Sequence, residues 1–218
     1  MTTEVKLLKL IKYYPLNARI SMNKIPRIAI FASGSGSNAQ RIAEYFAGTC
    51  LLEISAIYCN NPDAFVLDRA KSLEIPSILF NRDTLYKSTA ILEDLKSRET
   101  DWIVLAGFLW LIPGYILQAF PNRIVNIHPA LLPKYGGKGM YGMKVHQAVI
   151  ASGDPESGIT IHYVNEHYDE GDIIFQAHCI INPGDTPEML AAKIHELEYE
   201  HFPVVIGKLV AGVKEVNS

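Results

Sequence analysis

Arg27-Ile-Ala-Ile-Phe-Ala32-Ser-Gly-Ser-Gly-Ser-Asn38 is the stretch that decides the fold. The run through Ala32 is apolar and rich in β-branched residues, which predicts a short buried strand. The turn from Ser33 to Asn38 follows at once, and Ala39 to Phe46 then reads as an amphipathic helix. Glycines in such a turn let the backbone approach an anion, and the helix start behind it presents free N–H groups. Ser37 and Asn38 suit capping and phosphate contact. The pattern Gly34-x-Gly36-x-x-Ala39 also touches the dinucleotide fingerprint, but that site needs an acid closing the next strand. The next strand, Leu52 to Cys59, ends in Asn60-Asn61-Pro62, with Asp63 beyond the proline. The turn therefore reads first as a cradle for the phosphate of a smaller ligand, next as a structural turn, and least as a dinucleotide site.

The alternation continues outward from this unit. Helix Ala64 to Leu73, strand Pro76 to Phe80, helix Leu85 to Arg98 and strand Asp101 to Ala106 are expected in turn. Helix Ile112 to Phe120, opened by Pro113, and strand Ile124 to Ile127 complete the first half. Such β/α alternation predicts an α/β fold, a Rossmann-like and mostly parallel twisted sheet with helices on both faces. Ligands of such sheets sit beyond the carboxyl ends of the strands. Gly34 to Asn38, Gly107 to Trp110 and Asn126 to Pro129 all stand at such ends. The second half reads as a Gly-rich insert, Gly136 to Met143, then a helix Val145 to Ser152. A hairpin of strands Gly158 to Val164 and Asp172 to Ile180 follows, and a long helix from the Thr186-Pro187 cap to about Val210 closes the chain.

The 218 residues are 49% apolar, enough for a sizeable core in one domain. A net charge of -3 carries no nucleic-acid signature. No apolar run approaches the roughly 20 residues that span a bilayer. Cys50, Cys59 and Cys179 form neither a metal spacing nor a disulfide framework, which fits a reducing cytoplasm. Lys6-Leu-Leu-Lys-Leu-Ile-Lys12 is basic, but lysines break its apolar run and no cleavage site follows. We expect a poorly ordered extension over 1–23 and a working domain over 24–218.

Candidate chemistry lies between Asn126 and Asp169. Asn126 and His128 are two apart in a strand, so they project from one face, and Pro129 keeps the His128 backbone extended. On the residues alone, His128 reads equally well as a core histidine bonded to a carbonyl. Asp169 lies in a polar turn, where aspartates commonly shape the backbone.

The segments Asn126-Ile-His-Pro-Ala-Leu-Leu-Pro-Lys-Tyr135 and His162-Tyr-Val-Asn-Glu-His-Tyr-Asp-Glu-Gly171 resemble the folate-dependent formyltransferase superfamily. The Ser33 to Asn38 turn and Leu105-Ala-Gly-Phe-Leu109 are similar to its phosphoribosylglycinamide branch, over about Lys24 to Lys208. The resemblance implies the formyltransferase fold and transfer of a formyl group from 10-formyltetrahydrofolate to the amine of 5′-phosphoribosylglycinamide, in purine synthesis. It implies Asn126, His128 and Asp169 as the catalytic trio, and Gly36, Ser37 and Asn38 at the substrate phosphate. His195 and Glu198 would touch the ribose and glycinamide. Leu109, Trp110, Leu111 and Ile112, with Asn165, Glu166, His167 and Tyr168, would line the pterin site, and Arg82 would stand near the folate tail. No metal is implied, and the partners are small molecules, with neither nucleic acid nor membrane, for a monomer or homodimer. Two features depart from the family pattern: Gly136 to Met143 is longer than usual, and Trp110 replaces a polar or basic residue. A methionyl-tRNA formyltransferase, a formyltetrahydrofolate hydrolase or a non-catalytic binding domain on the same scaffold are the alternatives. The first two normally carry further domains.

Overall fold

The computed structural model describes residues 24–212; the expected extension over 1–23 lies outside them. Strands β1 (Arg27–Ala32), β2 (Glu53–Cys59), β3 (Ser77–Leu79), β4 (Trp102–Leu105), β5 (Ile124–His128), β6 (Glu156–Tyr163) and β7 (Ile173–Ile180) form one sheet. Its order is β3-β2-β1-β4-β5-β6-β7. The first five strands pair in parallel, while β5–β6 and β6–β7 are antiparallel. The expected mostly parallel sheet is thus present, with a hairpin added at one edge.

Helices α1 (Ser37–Phe46), α2 (Val66–Ser72), α3 (Arg82–Tyr86), α4 (Ala90–Ser97), α5 (Gly114–Ala119), α6 (Met143–Ser152) and α7 (Pro187–Val210) cover both faces. Strand side chains alternate between the faces. In β1, Ile28, Ile30 and Ala32 join the core formed with Ile42, Val66, Val149 and Ile194 from α1, α2, α6 and α7. Ala29 and Phe31 join the opposite core, with Leu85, Leu95 and Ile116 from α3, α4 and α5. Burial on both faces explains why β1 is apolar throughout rather than alternating. The last helix, α7, is capped by the Thr186 side chain and packs against α1 and α6. None of the helices among the described residues is long and apolar enough to cross a membrane.

Two local expectations change. The helix expected over Leu85 to Arg98 is two helices, α3 and α4. Asn81 caps the first, its Oδ1 accepting from Thr84 N at 2.9 Å. Ser88 Oγ then donates to the Thr84 carbonyl at 2.8 Å, and Thr89 Oγ1 donates to Glu93 at 2.7 Å. Local side-chain bonds of this kind compete with continued helix. The second change is at α5, where Pro113 is the extended N-cap residue rather than part of the helix.

The hairpin is held by close backbone contact. A Cβ added at Gly158 would come within 1.9 Å of the Ala177 carbonyl oxygen and 2.7 Å of Leu131 Cδ2. Gly158→Ala is therefore expected to destabilise the fold by about 1–3 kcal/mol through overpacking. Urea denaturation should show a lower midpoint at unchanged slope; an unchanged midpoint would refute the contact.

Candidate functional site

The strand order reverses between β1 and β4, and the loops leaving these two strands part around a crevice, as open α/β sheets require. The two loops are pinned together. Ser33 N donates to the Gly107 carbonyl at 3.0 Å, and Leu109 N donates to Ser33 Oγ at 3.1 Å. Gly36 has φ 72°, and a Cβ there would meet Val66 Cγ2 at 2.3 Å, so only glycine fits. It is also the N-cap of α1, and no side chain caps that helix. The first N–H groups are thereby left to an external acceptor, which favours an anion. The expected capping by Ser37 or Asn38 does not occur. Both are already helical, and Asn38 Nδ2 instead donates to Glu198 Oε2 at 3.0 Å.

These loops open on a cleft of about 560 Å³. Asn126, His128 and Asp169 all line it, together with Gly36, Ser37, Asn38, His195 and Glu198. Asn126 and His128 come from β5, and Asp169 from the turn between β6 and β7. Asn126 Nδ2 lies 3.4 Å from Asp169 Oδ1, and His128 Nδ1 lies 3.5 Å from Asp169 Oδ2. The other ring nitrogen of His128, Nε2, stands 2.8 Å from the Tyr135 carbonyl. A carbonyl only accepts, so Nε2 carries a proton and neutral His128 has its lone pair on Nδ1. The backbone of Tyr135, rather than Asp169, therefore fixes the tautomer.

The charges follow from burial and from these partners. His128 is 3% exposed, and burial pushes its pKa below the usual histidine value, against the pull of Asp169 and the Tyr135 carbonyl. Burial works to raise the Asp169 pKa, but the His162 and His128 rings and the Gly137 N–H outweigh it, and the carboxyl lies below its ordinary range. Gly137 N donates to Asp169 Oδ2 at 2.9 Å. Near neutral pH the pair is a neutral imidazole beside a carboxylate, with Nδ1 ready to receive a proton.

Three neighbours went unassigned in the sequence reading. His162 lies directly opposite Asn126 in the β5–β6 register, and its Nε2 is 3.0 Å from Asn126 Nδ2. Its Nδ1 faces the Tyr163 carbonyl at 2.8 Å, so in the neutral ring Nε2 accepts from the amide. A histidine inside a buried strand was the available signal. Tyr135 acts through a backbone carbonyl, which leaves no trace in residue type. The third is His146 on α6, which also lines the cleft.

The expected pterin-binding set divides. Leu109 and Tyr168 line the cleft; Trp110, Leu111, Ile112, Asn165, Glu166, His167 and Arg82 are not among its lining residues. Ile112 is 2% exposed and sits in the core. Trp110 packs edge-on against Phe80 and Phe108, with the Arg82 guanidinium 5.1 Å above its ring. Leu111 presents its carbonyl to the Tyr86 hydroxyl at 2.8 Å, and Asn165 Oδ1 accepts from His167 N at 2.9 Å to shape the turn. The Arg82 guanidinium also lies 5.8 Å from the Tyr86 ring, so Arg82, Trp110 and Tyr86 form one wall; burial pushes the Tyr86 pKa up, with Tyr168 adding to the rise and Arg82 opposing it. The Gly-rich insert forms one side of the cleft through Gly137, Lys138, Met140 and Tyr141. No three His, Cys, Asp or Glu side chains among the described residues are grouped to hold a metal.

Comparison with known proteins identifies the family and the fold. Residues 26–206 match the formyl transferase family. The chain is 40% identical over 189 residues to the chloroplastic phosphoribosylglycinamide formyltransferase of Arabidopsis thaliana, covering 84% of this chain and 65% of that protein. It is 40% identical to the Haemophilus influenzae phosphoribosylglycinamide formyltransferase, covering 83% of this chain and 85% of that one. The solved structure of glycinamide ribonucleotide transformylase 1 from Geobacillus kaustophilus superposes with a TM-score of 0.77 at 37% identity, over 85% of this chain and 99% of that one. The chain spans just under two thirds of the plant relatives it matches, 65% and 64% of their lengths. With the match running across nearly all of the sheet and the cleft, the chain belongs to the formyl transferase family.

Proposed function

We propose that this chain transfers the formyl group of 10-formyltetrahydrofolate to the amine of 5′-phosphoribosylglycinamide, releasing tetrahydrofolate, as a step of purine synthesis. The observation that carries this reading is the meeting of Asn126, His128 and Asp169 at one cleft with an uncapped helix start. In this proposal the substrate phosphate rests on Gly36, Ser37 and Asn38. The pterin enters beside Leu109 and Tyr168, with the Trp110 and Arg82 wall at its flank. The cytoplasm suits the three free cysteines.

The amine lone pair attacks the formyl carbon, and the carbonyl electrons move onto oxygen. One Asn126 N–H is spent on His162; the other makes only the long 3.4 Å contact to Asp169, and the oxyanion takes the place of that weak acceptor. A donor of this kind contributes about 3–4 kcal/mol in the transition state. The proton leaving the amine passes to His128 Nδ1, where Asp169 lies 3.5 Å away to stabilise the imidazolium. Tyr135 O already accepts from Nε2, so both nitrogens of the charged ring have acceptors. The imidazolium then protonates the departing folate nitrogen as the carbon–nitrogen bond breaks. No covalent formyl-enzyme is formed.

An assay with 10-formyltetrahydrofolate should give tetrahydrofolate only when phosphoribosylglycinamide is present; donor hydrolysis without the nucleotide would reject the proposal. Asn126→Ala, His128→Ala and Asp169→Asn should each lower kcat by about 10²–10³-fold, with much smaller changes in KM. Near-normal turnover by His128→Ala would remove His128 from the reaction. The acid limb of kcat/KM supplies a further check, because the base form is neutral His128. Its pKa lies below the usual value, so activity should hold as pH falls to about 6.5 and drop only below that. Asp169 pulls the His128 pKa up, so Asp169→Asn should move the acid limb to still lower pH. A shift to higher pH would contradict the assignment.

A further inference from the structure

Tyr135 serves the site through its backbone, and that backbone is strained. Its φ is 56°, a left-handed conformation that bulky residues rarely adopt. Such a conformation persists only where the surroundings enforce it. The short segment around it holds both His128 and Asp169. The Tyr135 carbonyl accepts from His128 Nε2 at 2.8 Å, and two residues on, Gly137 N donates to Asp169 Oδ2 at 2.9 Å. Gly137 is left-handed too, with φ 94°. The segment lies between β5 and α6, in neither strand nor helix, so no ladder of backbone bonds fixes it.

The Tyr135 side chain is tied to a rigid element. Its hydroxyl donates to Asp154 Oδ2 at 2.7 Å and stands 2.6 Å from Ser152 Oγ. Both partners sit where α6 ends: Ser152 is its last residue, Gly153 turns the chain with φ 71°, and Asp154 follows. Ser152 Oγ donates to the Val149 carbonyl at 2.7 Å and accepts from Asp154 N at 3.2 Å. Val149 is fully buried, and the Tyr135 ring packs against the same core. The tyrosine hydroxyl, ahead of the Lys134 ammonium, holds the Asp154 carboxyl below its ordinary range, so the acceptor is an anion near neutral pH. Bonds to an ionised acceptor are the stronger kind. Lys134 also reaches Asp154 Oδ2, at 3.0 Å, but its side chain is 67% exposed, and such pairs contribute little. Tyr135, Ser152 and Asp154 are not among the residues lining the cleft. Their effect on the site can pass only through the chain.

We propose that Tyr135 and Asp154 are positioning residues: their side-chain hydrogen bond, made outside the cleft, holds the Tyr135 carbonyl on His128 and the Gly137 N–H on Asp169. The kinetic consequence rests on the formyl-transfer function proposed above; the effect on the His128 tautomer does not.

Tyr135→Phe keeps the ring and removes the link. NMR shifts of the histidine ring nitrogens, read without substrate near about pH 8 where the ring is neutral, should show the parent His128 protonated at Nε2. The variant should show a mixture of the Nε2 and Nδ1 forms. Its kcat should fall about tenfold, the worth of one hydrogen bond, with KM within about twofold. A merely structural link would lower the melting temperature and leave the tautomer as it was. Asp154→Asn retains an acceptor oxygen and should restore the parent tautomer and turnover. If Tyr135→Phe does not fold, Asp154→Ala carries the same expectations. An unchanged tautomer, or kcat within about twofold of the parent, overturns the assignment. A parent protein that fails to formylate phosphoribosylglycinamide overturns the functional reading instead, and the ring-nitrogen shifts then decide the positioning alone.

Discussion

The carboxylate of Asp169 is the constraint on which the site depends. It is nearly buried, at 10% side-chain exposure, and a buried charge persists only with partners. Its donors come from separate parts of the chain, the Gly137 N–H of the Gly-rich insert at 2.9 Å and the Asn126 amide of β5 at 3.4 Å, while the His128 ring and the His162 ring of β6 stand 3.5 and 3.6 Å away. Satisfying one carboxylate thus brings the sheet edge, the insert and the hairpin turn together. Asp169 itself adopts φ 59°, a conformation an aspartate tolerates better than most residues. Gly136 belongs to the same packing, since a Cβ there would meet Leu132 Cδ2 at 2.6 Å and Asp169 Cβ at 3.2 Å.

The cleft divides its work between two kinds of group. Backbone supplies the fixed elements: the uncapped start of α1 for an anion, and the Tyr135 carbonyl that sets which His128 nitrogen bears the proton. Side chains supply the groups whose protonation or hydrogen bonding changes, at His128, Asp169 and Asn126. The division has a physical basis. Backbone dipoles are held by the surrounding fold and need no reorganisation, while a proton acceptor must respond to the charge that develops beside it.

Much of the fold was legible in local pattern. The apolar run before Ser33, the glycine turn and the helix behind it predicted a buried parallel strand, and β1 is one. The parity of Asn126 and His128 placed them on one face, and both reach the cleft. The failures were local competitions. Ser88 and Thr89 interrupt a helix whose apolar spacing reads as continuous, because their hydroxyls offer alternative bonds. The cap expected from Ser37 and Asn38 was wrong because Gly36 turns the chain before them, so both fall within the helix.

The less legible part is the set of meetings between distant residues. Asn126 and Asp169 are 43 positions apart, and Asn38 and Glu198 are 160 apart. Periodicity is encoded within a few residues, because it reflects which side of a strand or helix a side chain leaves. Which side chains face one another depends on strand order, register and helix packing, and these are settled by burial across the entire domain. The chain text therefore carried the alternation, the phosphate-type turn and the shared face of Asn126 and His128. Folding alone placed His162 across from Asn126, put the Tyr135 carbonyl against His128, and joined Asn38 to Glu198, since each of these depends on elements that touch only once the sheet has closed its two cores.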